Sequence, residues 1–322
     1  MKRILSGIQP SGNLHLGNYF AMIKPILDYQ EKYESYVLIV NLHALTSSFN
    51  REKLQKNTLD AAADFLALGI DIKKSIFWVQ SDVPEVMELM WYISCLTPLG
   101  LLERGHAYKS KKQSNIPSSL GLLSYPVLMA ADILLFQTDR VPVGPDQKQH
   151  LEICRDIAIK FNSTYGEVFK IPEPEITMRE TVPGLDGQKM SKSLDNYISI
   201  FSDEKTLKKQ VMGIVTDSTP VDEPKDPDKC TLFKLYSLFL DEKGRQELRN
   251  RYINPPLKYS EVKKELLGII IDYFRPYKQK RKEIEEDREL IKSALMEGKE
   301  KAQAVASRTI SQVRDAIGIL CP

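Results

Sequence analysis

Three short apolar runs, at residues 4–8, 36–42 (YVLIVNL) and 76–79, each precede a stretch whose apolar positions recur at helical spacing, at 16–32, 52–68 and 85–95. Strands this apolar cannot leave one face in water. They belong in a parallel sheet covered by helices on both sides, and the strand–helix–strand rhythm supplies the crossovers that parallel pairing needs. A helix at 126–136, a strand at 140–143 and a helix at 146–161 continue the pattern.

The pattern changes near residue 200. From there only helices are expected, at 205–214, 231–240, 243–252, 259–296 and 298–317, interrupted by the Pro/Asp-rich loop TPVDEPKDPD at 219–228 and by Asn254-Pro255-Pro256. The expected architecture is α/β: a Rossmann-like parallel-sheet domain over residues 1–200, with a connecting segment at about 81–137, and an appended all-helical domain over 201–322.

Composition narrows the chemistry mainly by exclusion. A length of 322 residues with 42% hydrophobic and 27% charged residues suits two folded domains. A net charge of +2 selects no partner by itself, although it permits a local RNA-binding patch. Cys95, Cys154, Cys230 and Cys321 lie far apart with no C-x-x-C pair, so neither a zinc site nor a disulfide framework is expected, and a reducing cytoplasm fits. Met1-Lys2-Arg3 leads straight into the first strand, and no run of about 18 apolar residues suggests a membrane span.

Two segments carry candidate chemistry. Gln9-Pro10-Ser11-Gly12-Asn13-Leu14-His15-Leu16-Gly17-Asn18 joins the first strand to a helix. At the carboxyl end of a parallel strand, a helix start offers unpaired N–H groups to phosphate. His15 adds a donor, and Gly17 lets a flat base approach the backbone. Far downstream, Gly184-Leu185-Asp186-Gly187-Gln188-Lys189-Met190-Ser191-Lys192-Ser193 combines glycines with two lysines three apart, as suits a loop bringing ammonium charge to a polyphosphate. Either segment alone is also compatible with an ordinary turn or a solvated charge run.

Asp132 is the sole charged residue between Pro117 and Thr138. Tyr125, Met129 and Asp132 are spaced four and three apart, so one helix face presents a phenol, a thioether and a carboxylate. That face suits an indole, with the carboxylate accepting its N–H. The alternative is a carboxylate neutralised by a neighbouring arginine such as Arg140.

Strand–H-x-G-N–helix followed by K-M-S-K-S resembles the paired signatures of class I aminoacyl-tRNA synthetases. G-I-Q-P-S-G (7–12), Y-P-V-L-M-A-A-D-I-L-L (125–135) and V-P-V-G-P-D-Q-K-Q-H (141–150) are similar to the bacterial tryptophanyl-tRNA synthetases over nearly the whole chain. The resemblance implies a homodimer that uses ATP with Mg²⁺ carried by the nucleotide, L-tryptophan and tRNA(Trp), without a protein metal site. It makes the 1–200 domain catalytic and the 201–322 domain the one that binds the anticodon.

By that resemblance His15, Lys111, Lys189 and Lys192 are catalytic. Gln9, Pro10, Ser11, Gly17, Asn18, Gly144, Pro145, Asp146, Val182, Met190, Ser191 and Ser193, with the two loop lysines, face the nucleotide. Leu5, Val40, His43, Tyr125, Met129, Asp132 and Gln147 surround tryptophan. His43 is alternatively a satisfied loop histidine, Asp146 a helix-start carboxylate, and His150 either a supporting donor or a helix-surface residue. The basic stretch Lys109–Lys112 could touch ATP, RNA or only water. Arg275, Lys278, Lys280, Arg281 and Lys282, interleaved with Tyr273, Phe274 and Tyr277, could hold single-stranded RNA by charge and stacking, or form a wet helix face.

Two departures bear on the pocket: Leu5 stands where the family often carries an aromatic, and Asn41 where it often carries an acid. The sister enzymes for tyrosine typically read Y-x-G-x-D at the end of the first strand, against Leu5, Gly7 and Gln9 here, which favours tryptophan. A catalytically silent RNA-binding paralogue and a small-molecule adenylyltransferase remain as other classes.

Overall fold

The computed structural model describes residues 1–46, 50–103, 119–144, 147–176 and 181–320. In chain order these form β1 (Arg3–Ile8), α1 (Leu16–Asn18), a π-turn (Tyr19–Ile23), α2 (Lys24–Tyr29), β2 (Glu34–Ile39), α3 (Asn41–Ala44), α4 (Arg51–Leu68), β3 (Ser75–Val79), α5 (Glu85–Leu96) and α6 (Leu99–Glu103). There follow α7 (Leu120–Leu135), β4 (Arg140–Val143), α8 (Lys148–Tyr165), β5 (Glu173–Ile176), α9 (Glu204–Met212), α10 (Thr231–Ser237), α11 (Glu242–Ile253), α12 (Tyr259–Glu286) and α13 (Arg288–Ile317).

Two compact units interleave along the chain. One comprises Met1–Gly12, Leu27–Thr177 and Ile284–Pro322; the other comprises Asn13–Ile26 and Met178–Glu283. This division differs from a single boundary at residue 200, because the last helix belongs with the sheet and the H-x-G-N segment belongs with the later helices.

The first unit is built on a five-stranded sheet in the order β3-β2-β1-β4-β5, with every pair parallel. β2 is buried at five consecutive positions, as a strand covered on both faces requires. The order reverses between β1 and β4, and in such sheets the crevice beyond the strand ends at that reversal is where ligands bind. β5 escapes the sequence reading because its EPEI run is polar and contains Pro174; a proline is tolerated there because the strand lies at an edge.

Local signals set the helix ends. The Asn50 side chain accepts from the Lys53 N–H at the start of α4, and Gly69 closes that helix at φ 112°, a conformation that favours glycine. Ser119 caps α7 by accepting from the Leu122 N–H. The break in the final helical stretch falls at Asp287, which accepts from the Leu290 N–H, and not at 297 as the sequence suggested. Gly298 looks like a helix breaker but is a contact residue: an added Cβ would lie 1.8 Å from the Phe77 carbonyl oxygen, so only glycine lets α13 lie this close to β3. Arg314 on α13 fixes the same packing by donating to both oxygens of Glu88 on α5, each at 2.6 Å.

The second unit holds the remaining helices around a cluster of rings. Tyr19 and Phe20 pack edge-on against Phe274 and Phe239 respectively, and the Tyr19 and Tyr273 hydroxyls are 2.9 Å apart. Lys225, only 3% exposed, donates to the carbonyls of Pro220 and Glu223 and so closes the Pro/Asp-rich loop on itself. Among the described residues no helix is long and apolar enough to cross a membrane.

Candidate active site

Asp132 lies on α7 and is 3% exposed. Its partner is not Arg140, which is paired with Glu173 at 2.8 Å. Instead Gln80, just beyond β3, donates its amide nitrogen to both Asp132 oxygens at 2.9 and 2.8 Å. His43 Nε2, on α3, donates to Asp132 Oδ2 at 3.0 Å. The Gln80 amide cannot turn round, because its Oε1 accepts from the Leu42 N–H at 3.0 Å. A carboxylate has about four lone-pair directions, and three donations leave about one for an incoming N–H.

Two turns earlier on α7, the Tyr125 hydroxyl lies 2.5 Å from His150 Nε2, and His150 Nδ1 lies 3.0 Å from Gln147 Oε1. The Gln147 oxygen can only accept, so Nδ1 carries the proton and Nε2 receives the tyrosine O–H. Burial raises the Tyr125 pKa, which keeps that phenol protonated. His150 is 5% exposed and therefore not a helix-surface residue. The His43 and Tyr125 rings sit edge to face at 6.4 Å, joining the two polar groups. Leu5 is in the sheet unit's apolar cluster, and Val40 and Met129 pack against it. Gly7 meets this group closely: an added Cβ would be 3.0 Å from Val40 Cγ1.

At the reversal point, Ser11 N–H donates to the Gln9 carbonyl at 2.8 Å, turning the chain after β1, with Pro10 buried and Gly12 at φ 82°. Beyond β4, the Gly144 carbonyl accepts from the Gln147 N–H at 3.0 Å. Lys111, Pro145 and Asp146, like the rest of the 109–112 basic stretch, lie outside the described residues.

In the second unit the two lysine- and histidine-bearing signatures are stitched together. Leu16 N–H donates to the Ile198 carbonyl at 2.9 Å and Ile200 N–H to the Leu14 carbonyl at 3.1 Å, so His15 forms a bridge opposite Ser199. Met190 is 4% exposed and its sulfur accepts from the Gly17 N–H at 3.3 Å. A side chain at position 17 would meet His15 at 2.9 Å and Met190 Cβ at 3.3 Å, which makes glycine necessary there. The Val182 carbonyl accepts from the Met190 N–H at 3.0 Å.

His15 caps α1: its Nδ1 accepts from the Asn18 N–H at 3.2 Å, while the Asn18 side chain accepts from the His15 N–H at 3.2 Å. Burial, and then the charge of Lys192, push the His15 pKa down to about 4. The ring is therefore neutral at physiological pH, and with Nδ1 accepting, its proton sits on Nε2 as a donor. Lys189 is exposed, and Lys192 half-buried in the short turn capped by Ser191, whose Oγ accepts from the Ser193 N–H. The arrangement offers a neutral donor, two ammonium groups and a helix start, all suited to phosphate oxygens.

Sequence reading missed two contributors: Gln80 ends the apolar run IFWVQ, and Asn196 follows the lysine loop without belonging to its motif. The aromatics of α12 are a correction: Phe274 is fully buried and Tyr273 and Tyr277 face Tyr19, so they are engaged in ring packing and not presented for base stacking. On the same helix Arg275, Lys280 and Lys282 are exposed, whereas Lys278 is half-buried and donates to the Ser202 carbonyl at 2.7 Å.

A Rossmann-like parallel sheet together with the H-x-G-N and K-M-S-K-S segments marks a class I synthetase, a nucleotide-using ligase. The chain belongs to the family described as tRNA synthetases class I (W and Y), whose pattern matches residues 1–275. The tryptophan–tRNA ligase of Fusobacterium nucleatum is 50% identical over 322 residues, covering 99% of each chain. That of Campylobacter jejuni is 51% identical over 318 residues, covering 98% of this chain and all of its own. The crystal structure of tryptophanyl-tRNA synthetase from Campylobacter jejuni, complexed with ADP and tryptophan, matches with a TM-score of 0.91 at 51% identity, over 98% of this chain and 99% of its own.

Proposed function

We propose that this chain is a tryptophan–tRNA ligase. The carboxylate of L-tryptophan attacks the α-phosphorus of ATP, forming tryptophanyl-adenylate as pyrophosphate leaves. A ribose hydroxyl at the 3′ end of tRNA(Trp) then attacks the adenylate carbonyl and AMP leaves. The observation that carries this reading is the Asp132 carboxylate, held by Gln80 and His43 with room for one more N–H, as an indole would supply.

The protein supplies no nucleophile, so its contribution is positioning and charge stabilisation. In this reading Tyr125, Met129, Val40, Leu5 and His43 enclose the indole, and Gln147 meets the amino acid's polar end. Gln9, Pro10, Ser11, Gly144, Pro145 and Asp146 hold the nucleotide in this reading, together with Gly17, Asn18 and Val182. His15 donates from Nε2 to phosphate, and Lys189 and Lys192 stabilise the departing pyrophosphate, with Met190, Ser191 and Ser193 shaping their loop. The resemblance adds Lys111 to the phosphate-binding charges. Magnesium would come with the nucleotide.

The reading includes a homodimer in the cytoplasm, where ATP and tRNA are found. Support for the dimer comes from Met87, Trp91, Leu99 and Leu120, which are 48, 68, 59 and 78% exposed on helices of the 81–137 segment. Apolar exposure of this kind marks contact surfaces. The exposed charges of α12 support anticodon binding by the helical residues beyond 200. The direct test is charging: tRNA(Trp), tryptophan and ATP with the purified protein should give tryptophanyl-tRNA and one AMP per ester formed. Absence of the ester in the presence of adenylate formation would confine the protein to activation.

A further inference from the structure

We infer that Asn196 is a positioning residue that sets the register in which Lys189 and Lys192 are presented to the nucleotide, an inference that rests on the proposed role of that loop. Asn196 lies outside the K-M-S-K-S run, in a stretch the reaction does not otherwise use. It is 3% exposed, yet its side chain is fully engaged. The amide oxygen accepts from the Ser191 N–H at 2.8 Å, and the amide nitrogen donates to the Lys189 carbonyl at 3.2 Å and to Asp186 Oδ1 at 2.8 Å. Its main-chain carbonyl accepts from the Leu185 N–H at 2.8 Å.

One side chain thus holds the peptide groups on either side of Met190, while the Met190 sulfur accepts from Gly17 N–H at 3.3 Å. The loop strands close around it: a Cβ on Gly184 would lie 2.3 Å from Asn196 Nδ2 and 2.6 Å from its carbonyl oxygen. Gly184 is therefore the glycine that makes room for this contact. Asp186 completes the frame by also accepting from the Gln188 N–H at 3.0 Å. No smaller or purely accepting side chain at 196 can satisfy the Ser191 N–H and the Lys189 carbonyl together.

Exchanging the two polar groups tests this. Asn196→Asp keeps the acceptor for Ser191 but sets a carboxylate against Asp186 and removes both donations. Asp186→Asn combined with Asn196→Asp restores an amide–carboxylate pair in the opposite sense. In tryptophan-dependent ATP–pyrophosphate exchange, Asn196→Asp should lower kcat about tenfold or more with tryptophan KM within about twofold of the parent, and the double variant should recover only the part of the loss due to the facing carboxylates, because its position 196 still cannot donate to the Lys189 carbonyl. Amide hydrogen exchange over residues 184–196 should be faster in the single variant and only partly slowed in the double. A kcat within about twofold of the parent in Asn196→Asp would overturn the inference, as would a double variant restored to the parent rate, since the Lys189 carbonyl contact is missing in both. A parent protein with no tryptophan-dependent exchange would instead sink the synthetase reading, and the hydrogen-exchange pattern would still decide whether Asn196 orders the loop.

Discussion

Gln80 donates one amide nitrogen to both oxygens of Asp132, at 2.9 and 2.8 Å, and is held in that orientation by the Leu42 N–H. The pair is made from a residue just beyond the end of one strand and one in the last turn of a distant helix. It leaves Asp132 an acceptor toward any further partner, because its oxygens already receive from Gln80 and His43.

Asp132→Asn should therefore impair tryptophan binding far more than ATP binding. An amide there presents N–H to the N–H of Gln80, of His43 or of the indole, whichever way it turns. A mispaired buried donor costs about 1 to 3 kcal/mol, which corresponds to a rise in tryptophan KM of roughly tenfold to a hundredfold. Steady-state exchange with tryptophan and ATP varied separately measures this, and an unchanged tryptophan KM would remove Asp132 from the pocket.

His15 should titrate near pH 4, from burial first and Lys192 second. Its Cε1 proton in NMR reads this directly, and Lys192→Ala should move the midpoint upward by removing the smaller cause. A pKa below the unfolded value of about 6.5 favours folding above that pH and loses its contribution as pH falls through about 4. The amount at stake is on the order of 3 kcal/mol. A midpoint at or above about 6.5 would mean the ring is solvated and charged when it meets phosphate.

Lys192→Ala should slow adenylate formation while leaving substrate affinities nearly intact, since the loop ammonium is needed most as pyrophosphate departs. One such donor is typically worth about 100-fold or more in rate. Pre-steady-state adenylate formation at saturating ATP and tryptophan measures it, and a rate within about twofold of the parent would take the lysine out of the chemistry.

Neutralising Arg275, Lys280 and Lys282 on α12 should weaken tRNA charging but leave exchange unchanged. Lys278 is left alone because its bond to the Ser202 carbonyl is part of the packing. Each lost phosphate contact should flatten the dependence of log affinity on log salt by about 0.7 to 0.9. Equal charging efficiency and equal salt slope in the variant and parent would identify a solvated helix face.

The sequence was informative where chemistry and periodicity are local. The contiguous apolar runs of β1, β2 and β3 announce a covered parallel sheet, and a histidine between glycines or two lysines in a glycine-rich loop announce phosphate chemistry. It was silent where a residue's role depends on a distant partner. Gln80 and Asn196 are ordinary polar residues until folding buries them against Asp132 and Lys189. Gly298 reads as a helix end until Phe77 is seen beneath it, and Tyr273 and Tyr277 read as stacking surfaces until Tyr19 occupies them. The polar edge strand β5 carries no apolar signal at all.

The central claim is that the Asp132 site selects an indole. The most direct measurement is ATP–pyrophosphate exchange across a panel of amino acids, compared as kcat/KM. Tryptophan should support exchange at least about 1,000-fold better than tyrosine or phenylalanine, because neither can offer the indole N–H to a buried acceptor in the same position. Exchange driven equally well by tyrosine, or exchange independent of any amino acid, would contradict it.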